Sequence, residues 1–196
     1  LAATIADLGR VRRDSLVEDP FCGSGTLLIE AAQKAMNIAP GLKRRFAAER
    51  YSFVPAALWA EQRQKALAES KLDVGFEAFG YDIDPAAVEL ARHNAQLAEV
   101  DDLVRFEQAN ACTFHWGGLY GRVVTNPPYG ERILEKREAE ELYRAFGRAV
   151  RTLPEGWRVS VLSSHTEFER TFGRTADKKR KLYNGMLKCD LFQYGR

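Results

Sequence analysis

No apolar run in this 196-residue sequence approaches the length needed to cross a bilayer, and no stretch reads as a secretory signal. Cysteine is scarce. Cys22, Cys112 and Cys189 stand far apart, which argues against a disulfide framework. Histidine is equally scarce, and His93, His115 and His165 show no metal-ligand spacing, so no metal site is expected. A cytoplasmic location fits these shortages best. Internal repeats and low-complexity tracts are absent. Two nucleotide-binding signatures are missing as well: no G-x-G-x-x-G, and no lysine of the P-loop kind, which makes a nucleoside triphosphate a poor fit.

What is present is ordinary in bulk. Apolar residues make up 45% and charged residues 29%, the proportions of a soluble globular domain, and the length suits one domain with a single sizeable core. The chain opens at Leu1, already inside helical-looking sequence, and reads as a fragment of a longer protein. A monomer is expected. The formal net charge of +2 hides two basic runs, Lys43 to Arg45 and a denser one from Arg174 through Lys178 to Lys181. Each is either a solvated surface or a contact for phosphates.

Strand-like and helix-like segments alternate. "SLVEDPF" is a short strand before "GTLLIEAAQKAM", whose apolar residues recur on one helical face. "PAALWAEQRQKALAES" is a second helix, with Ala, Leu and Trp on one face. "FEAFGYDID" and "PAAVELARHNAQLA" follow as strand and helix, then the strands "LVRFEQAN" and "RVVTN". A long amphipathic helix, "KREAEELYRAFGRAVRTL", ends before Pro154 and Gly156. The strand "WRVSVLSS" and the short helix "TEFERTFG" come next. Two last strand-like runs flank Asn184-Gly185, a strong signal for a tight antiparallel hairpin. The alternation implies a parallel sheet covered on both faces.

Ligands of such sheets bind at the carboxyl ends of the strands. In "EDPFCGSGT" Asp19 leaves the first strand, Gly23 and Gly25 allow a tight turn, and Thr26 opens a helix whose free N–H groups suit an anionic group. In "GYDIDP" Asp82 suits the two hydroxyls of a ribose, whereas Asp84 before Pro85 reads as a helix cap. Asn110 either meets an adenine amino group or is a turn asparagine. In "VVTNPPYGER" two consecutive prolines fix the chain as it leaves a strand, presenting Asn126 and Tyr129 on a stiff turn. The set describes an adenosine-bearing ligand with an amino-acid tail beside a second planar group.

"DPFCGSGT" and "NPPY", in this order with "GYDID" between them, resemble the class I S-adenosylmethionine-dependent methyltransferases that act on amino groups. "RRFAAERYSFVPAALWAEQRQKA", "YDIDPAAVELARHNA" and "KLYNGMLKCDLFQY" narrow the resemblance to the methyltransferase domain of the large-subunit ribosomal RNA guanine-N2 methyltransferases. Such sequences were formerly described as adenine-specific DNA methylases. The resemblance implies an α/β, Rossmann-like, seven-stranded sheet, mostly parallel, with a C-terminal antiparallel hairpin and helices on both faces, over residues 1–196. It implies that the upstream RNA-binding THUMP module of that family is absent from this chain.

It also implies S-adenosyl-L-methionine as cofactor and RNA, ribosomal 23S RNA or its precursor, as partner, with no metal and no membrane. Asp19, Gly23 and Gly25 would border the methionine part of the cofactor, Asp82 would hold the ribose and Asn110 would meet the adenine, where the family more often has aspartate. Phe21, Thr26, Ile83, Ala111 and Asn126 complete the implied cofactor set. Asn126, Pro127 and Tyr129 would be catalytic, the first two as acceptors for an amino group and Tyr129 as a stacking platform. Guanine N2 follows from the family alone; adenine N6 in DNA or RNA, a protein glutamine amide, and a non-catalytic RNA-binding module remain as alternatives.

Overall fold

A computed structural model describes residues 1–113, 118–129 and 133–195, with side chains in the fifth helix described from Lys136. His115 and residues 130–132 of the proline motif lie outside the described residues.

Seven strands form one sheet: β1 (Leu16–Asp19), β2 (Glu77–Asp82), β3 (Val104–Gln108), β4 (Tyr120–Thr125), β5 (Gly156–Ser163), β6 (Lys178–Asn184) and β7 (Leu187–Tyr194). Their spatial order is β3-β2-β1-β4-β5-β7-β6. The first five run parallel, whereas β7 pairs antiparallel with both β5 and β6. Among the described residues six α-helices accompany them: α1 (Ala2–Leu8), α2 (Thr26–Ala35), α3 (Ala56–Glu69), α4 (Pro85–Leu97), α5 (Ile133–Val150) and α6 (Phe168–Phe172). Among the described residues no helix is long and apolar enough to cross a membrane.

Side chains alternate across a strand, so neighbouring valines serve opposite faces. Val124 packs with Ile5, Leu28, Ala31 and Phe106 beneath α1, α2 and α4. Val123 packs with Tyr143, Phe146, Phe168 and Phe172 beneath α5 and α6. Helix α2 reaches the sheet closely because Ala31 and Ala32 are fully buried there, beside Leu28. The aromatic stack on the other face runs from Phe168 to Phe192, 4.6 Å between centroids, and from Phe172 to Tyr194 at 5.1 Å. These two cores hold the carboxyl ends of β1 and β4 side by side, and that is where the site forms.

Two sequence expectations change. Helix α3 buries no residue. Its Trp59 stacks on Phe46 at 5.8 Å, and Arg63 donates to the carbonyls of Leu42 and Arg44, so its apolar face covers the segment before it instead of the sheet. The hairpin turn also falls one residue later than Asn184-Gly185. Asn184 pairs with Leu187, leaving Gly185 (φ +60°) and Met186 as the two-residue loop. Lys178 to Lys181 of the dense basic run lie exposed on β6, the edge strand, where lysines also discourage pairing with another chain. One of them, Lys179, is paired with Glu169 at 2.7 Å.

Candidate active site

The turn after β1 is built by two glycines in left-handed conformation, Gly23 at φ +51° and Gly25 at φ +78°. A Cβ on Gly25 would come within 2.7 Å of Phe106 Cζ, whereas a Cβ on Gly23 would meet nothing within 4 Å. Gly25 therefore lets the turn approach the sheet, and Gly23 leaves its backbone open to the cleft. The turn is held from three sides. Cys22 donates its N–H to the Tyr81 carbonyl (2.9 Å), Gly23 donates to Asp82 Oδ2 (3.0 Å), and the Asn94 side-chain amide donates to the Ser24 carbonyl (2.9 Å). Helix α2 then begins at Thr26 with its first N–H groups facing the turn.

Asp19 is buried at the end of β1. Its Oδ1 accepts from the Phe21 N–H at 3.1 Å and from the Thr125 hydroxyl at 2.6 Å. Burial pushes its carboxyl up to about 7, reinforced by the nearby Asp82 and opposed by those two donors. Asp82 accepts from Gly23 with one oxygen and from the Asp84 N–H with the other, 3.0 Å in each case. A carboxylate has about four acceptor positions, so two remain for a ligand. Asp84 caps α4 by accepting from the Ala86 N–H (2.9 Å), with Pro85 at the first helical position, as its sequence setting predicts.

β4 delivers the proline turn directly beside this. Asn126 is exposed, Pro127 buried and Tyr129 half-buried. Tyr129 donates its hydroxyl hydrogen to Asn126 Oδ1 and accepts from the Asn184 side-chain amide at 3.4 Å. Burial is the main cause that raises the Tyr129 phenol above the ordinary tyrosine range. The Pro128 carbonyl accepts from the Tyr143 hydroxyl at 2.7 Å, fixing the turn to α5. Among the described residues nothing donates to the Pro127 carbonyl.

The glycine turn and Asn126 share one cleft of about 350 Å³, lined by Asp19, Phe21, Gly23, Thr26, Leu27 and Asn126 among others. Phe21 is braced by an edge-on contact with Phe146 at 5.1 Å. The other expected cofactor residues do not line that cleft. Asp82 reaches it only through Gly23. Ile83 is 69% exposed above the end of β2, where its carbonyl accepts from the Gln108 side chain. Asn110 forms a turn, its Oδ1 accepting from the Cys112 N–H at 2.9 Å, and Ala111 is buried. The structure thus gives Asn110 the turn role, with one acceptor lone pair and its amide still available. Among the described residues no group of histidine, cysteine and acid side chains could hold a metal.

Sequence reasoning missed Thr125, Tyr143, Asn94 and Asn184. Each acts by donating one hydrogen to a partner distant in the chain, so no local pattern marks it.

Known proteins give a consistent picture. The family model described as the RMKL-like methyltransferase domain matches residues 1–193. "Putative RNA methyltransferase YpsC" of Bacillus subtilis is 41% identical over 99% of this chain. "Ribosomal RNA large subunit methyltransferase K/L" of Shewanella sp. (strain ANA-3) is 42% identical over 87% of it. The chain spans 50% of the first and 24% of the second. A solved structure named SMU.472, described as a putative methyltransferase complexed with SAH, superposes with a TM-score of 0.94 at 42% identity, over 100% of this chain and 52% of that one.

Proposed function

The chain belongs to the RMKL-like methyltransferase domain family, and from that premise we propose that it binds S-adenosyl-L-methionine and methylates an exocyclic amino group in RNA, guanine N2 of large-subunit ribosomal RNA. The observation that carries the proposal is the shared cleft. The N-terminus of α2, reached through the glycine turn, and the Asn126 carboxamide, held by the Tyr129 hydroxyl, border the same 350 Å³ space. The cofactor fits the residues present: the open backbone at Gly23, the free acceptor positions of Asp82 and the N-terminus of α2 suit a ribose and an amino-acid tail. When bound, it supplies an electrophilic methyl group.

The chain's own residues act on the amine. An exocyclic amino nitrogen is a weak nucleophile because its lone pair is delocalised into the ring. Acceptors aimed at its hydrogens favour the change to a tetrahedral nitrogen and stabilise the charge that develops. Asn126 Oδ1 and the Pro127 carbonyl are the acceptors on this turn. Oδ1 already accepts from the Tyr129 hydroxyl, which orients the carboxamide, and its second lone pair stays available to the amine. No strong base is required, since the methylated ammonium is itself acidic. Positioning carries most of the effect: holding reactants in line is worth about 7–11 kcal/mol in favourable cases. The prolines and the Tyr143 hydrogen bond restrict the turn that does so.

RNA as substrate is supported by the names of the relatives, one an RNA methyltransferase and one a ribosomal RNA large subunit methyltransferase. Mass-spectrometric nucleoside analysis of ribosomal RNA from a strain lacking the full-length protein tests the reading. Loss of N2-methylguanosine at one site is expected; an unchanged nucleoside profile would contradict it, and loss of N6-methyladenosine would reassign the base.

A further inference from the structure

At the amino ends of the strands, opposite the cleft, β4 and β5 place two arginines side by side. Arg122 and Arg158 are register partners on adjacent parallel strands. Like charges so placed are destabilising, and both are half-buried. Arg10 and Arg12 approach from the segment that follows α1. Arg122 donates through Nε to Ser15 Oγ at 3.1 Å. Among the described residues none of these four guanidinium groups has an ion-pair partner within 4.0 Å; Asp14 is the nearest acidic group lining the pocket, and it is exposed. Burial, then Arg158, Arg12 and Arg10, lower the Arg122 pKa against the pull of Asp14. An uncompensated, partly desolvated cationic pair is costly unless an anion completes it.

A second feature adjoins it. Tyr120, the first residue of β4, is 75% exposed, yet its ring comes close to the Gly156 backbone, where a Cβ would fall 2.2 Å from its Cδ1. Glycine at this position makes room for the ring, and most of the residue stays open to solvent. Tyr120, Arg12, Arg122 and Arg158 line one pocket of about 260 Å³. A planar aromatic beside forked guanidinium groups suits an unpaired nucleotide, with stacking for the base and bidentate donors for the phosphate.

We propose that this pocket is a second RNA-contact site, in which Arg122 and Arg158, flanked by Arg10 and Arg12, hold backbone phosphates while Tyr120 stacks on an unpaired base. The inference rests on the RNA reading above and adds a surface to it. Arg122 lies four residues before Asn126 on one strand, roughly 13 Å at about 3.3 Å per residue, within the span of a folded RNA seated on the cleft.

Fluorescence anisotropy with the full-length protein and a labelled single-stranded RNA of mixed sequence, at several KCl concentrations, tests it. The double variant Arg122→Gln, Arg158→Gln is expected to bind about 10-fold more weakly, with the slope of log K against log salt shallower by about 1.4 for two phosphates lost. Tyr120→Ala is expected to weaken binding about 5-fold or more without changing the slope. S-adenosylhomocysteine affinity should stay at the wild-type value in both, and the double variant, relieved of its like-charge pair, should melt no lower than the wild type. Wild-type RNA binding with unaltered affinity and slope in the double variant overturns this inference alone. No RNA binding by the wild type overturns the RNA reading as a whole. A thermal shift with pyrophosphate that depends on both arginines and that RNA does not compete away would assign the pocket to a small anion instead.

Discussion

Thr125 donates its hydroxyl hydrogen to Asp19 across the gap between β4 and β1, at 2.6 Å with both side chains buried. The residue before the proline turn is thereby tied to the residue before the glycine turn. Thr125→Val keeps the shape and removes the donor, leaving Asp19 with the Phe21 N–H alone. Such a loss costs about 1–3 kcal/mol. Urea unfolding is expected to show that cost, together with weakened methyl transfer, because the two turns lose their common anchor. A variant of wild-type stability would show the tie to be energetically idle.

Asp19 itself should make stability depend on pH. Its carboxyl is raised to about 7 in the fold, against about 3.9 in an unfolded chain. The folded state thus holds an extra proton between those values. The contribution is complete below about pH 4 and is lost as pH rises through 7. Between pH 5 and pH 7.5 the wild type is expected to lose about 2 kcal/mol more than Asp19→Asn, whose amide does not titrate in that range. Parallel unfolding curves at the two pH values would show that Asp19 titrates normally.

The two glycines should respond differently to alanine. Gly25→Ala meets Phe106 at 2.7 Å and Ala91 at 3.1 Å in addition to its positive φ, and is expected to lose about 2–4 kcal/mol. Gly23→Ala has open space, so its stability cost should be the backbone strain of about 1–2 kcal/mol. Its new methyl group projects into the cleft and should weaken S-adenosylmethionine binding more than it weakens the fold. Calorimetric titration beside thermal melting separates the two effects.

Asp82 supports the glycine turn and keeps acceptor positions free. Asp82→Ala should raise the cofactor Kd by 10-fold or more, with a smaller change in the rate at saturating cofactor. An unaltered Kd would remove it from the cofactor site.

Tyr129 has two separable parts. Tyr129→Phe loses the hydrogen bond to Asn126 but keeps the ring, and is expected to retain activity within about 10-fold. Tyr129→Ala loses a stacking surface worth about 1–3 kcal/mol per base, and single-turnover rates should fall further. Equal losses in both would place the hydroxyl, and not the ring, at the centre of its role.

Legibility in the sequence followed the range of the interactions. Strands and helices with strict periodicity, such as β2, α2 and α4, were readable because one buried face imposes the pattern. Asp84 was readable because a cap acts within two residues. The location of α3 was not, since an apolar stripe does not say which neighbour it covers. Nor was the hairpin register, because Asn184-Gly185 and Gly185-Met186 both permit a two-residue turn; pairing along β7 decides between them. Asn110 was ambiguous because an asparagine at a strand end serves a turn and a base equally well. The bond from Tyr129 to Asn126 was not readable, because the tyrosine hydroxyl is also held by Asn184 from the far end of the chain.

Methyl transfer from labelled S-adenosylmethionine to large-subunit ribosomal RNA, measured for the full-length wild type and for Asn126→Ala with the cofactor Kd of each, bears most directly on the shared cleft. Asn126→Ala is expected to transfer at least 100-fold more slowly while binding the cofactor within a few-fold of the wild type. Undiminished transfer, or an equal loss of transfer and of cofactor binding, would contradict a carboxamide that acts on the amine across one cleft from the glycine turn.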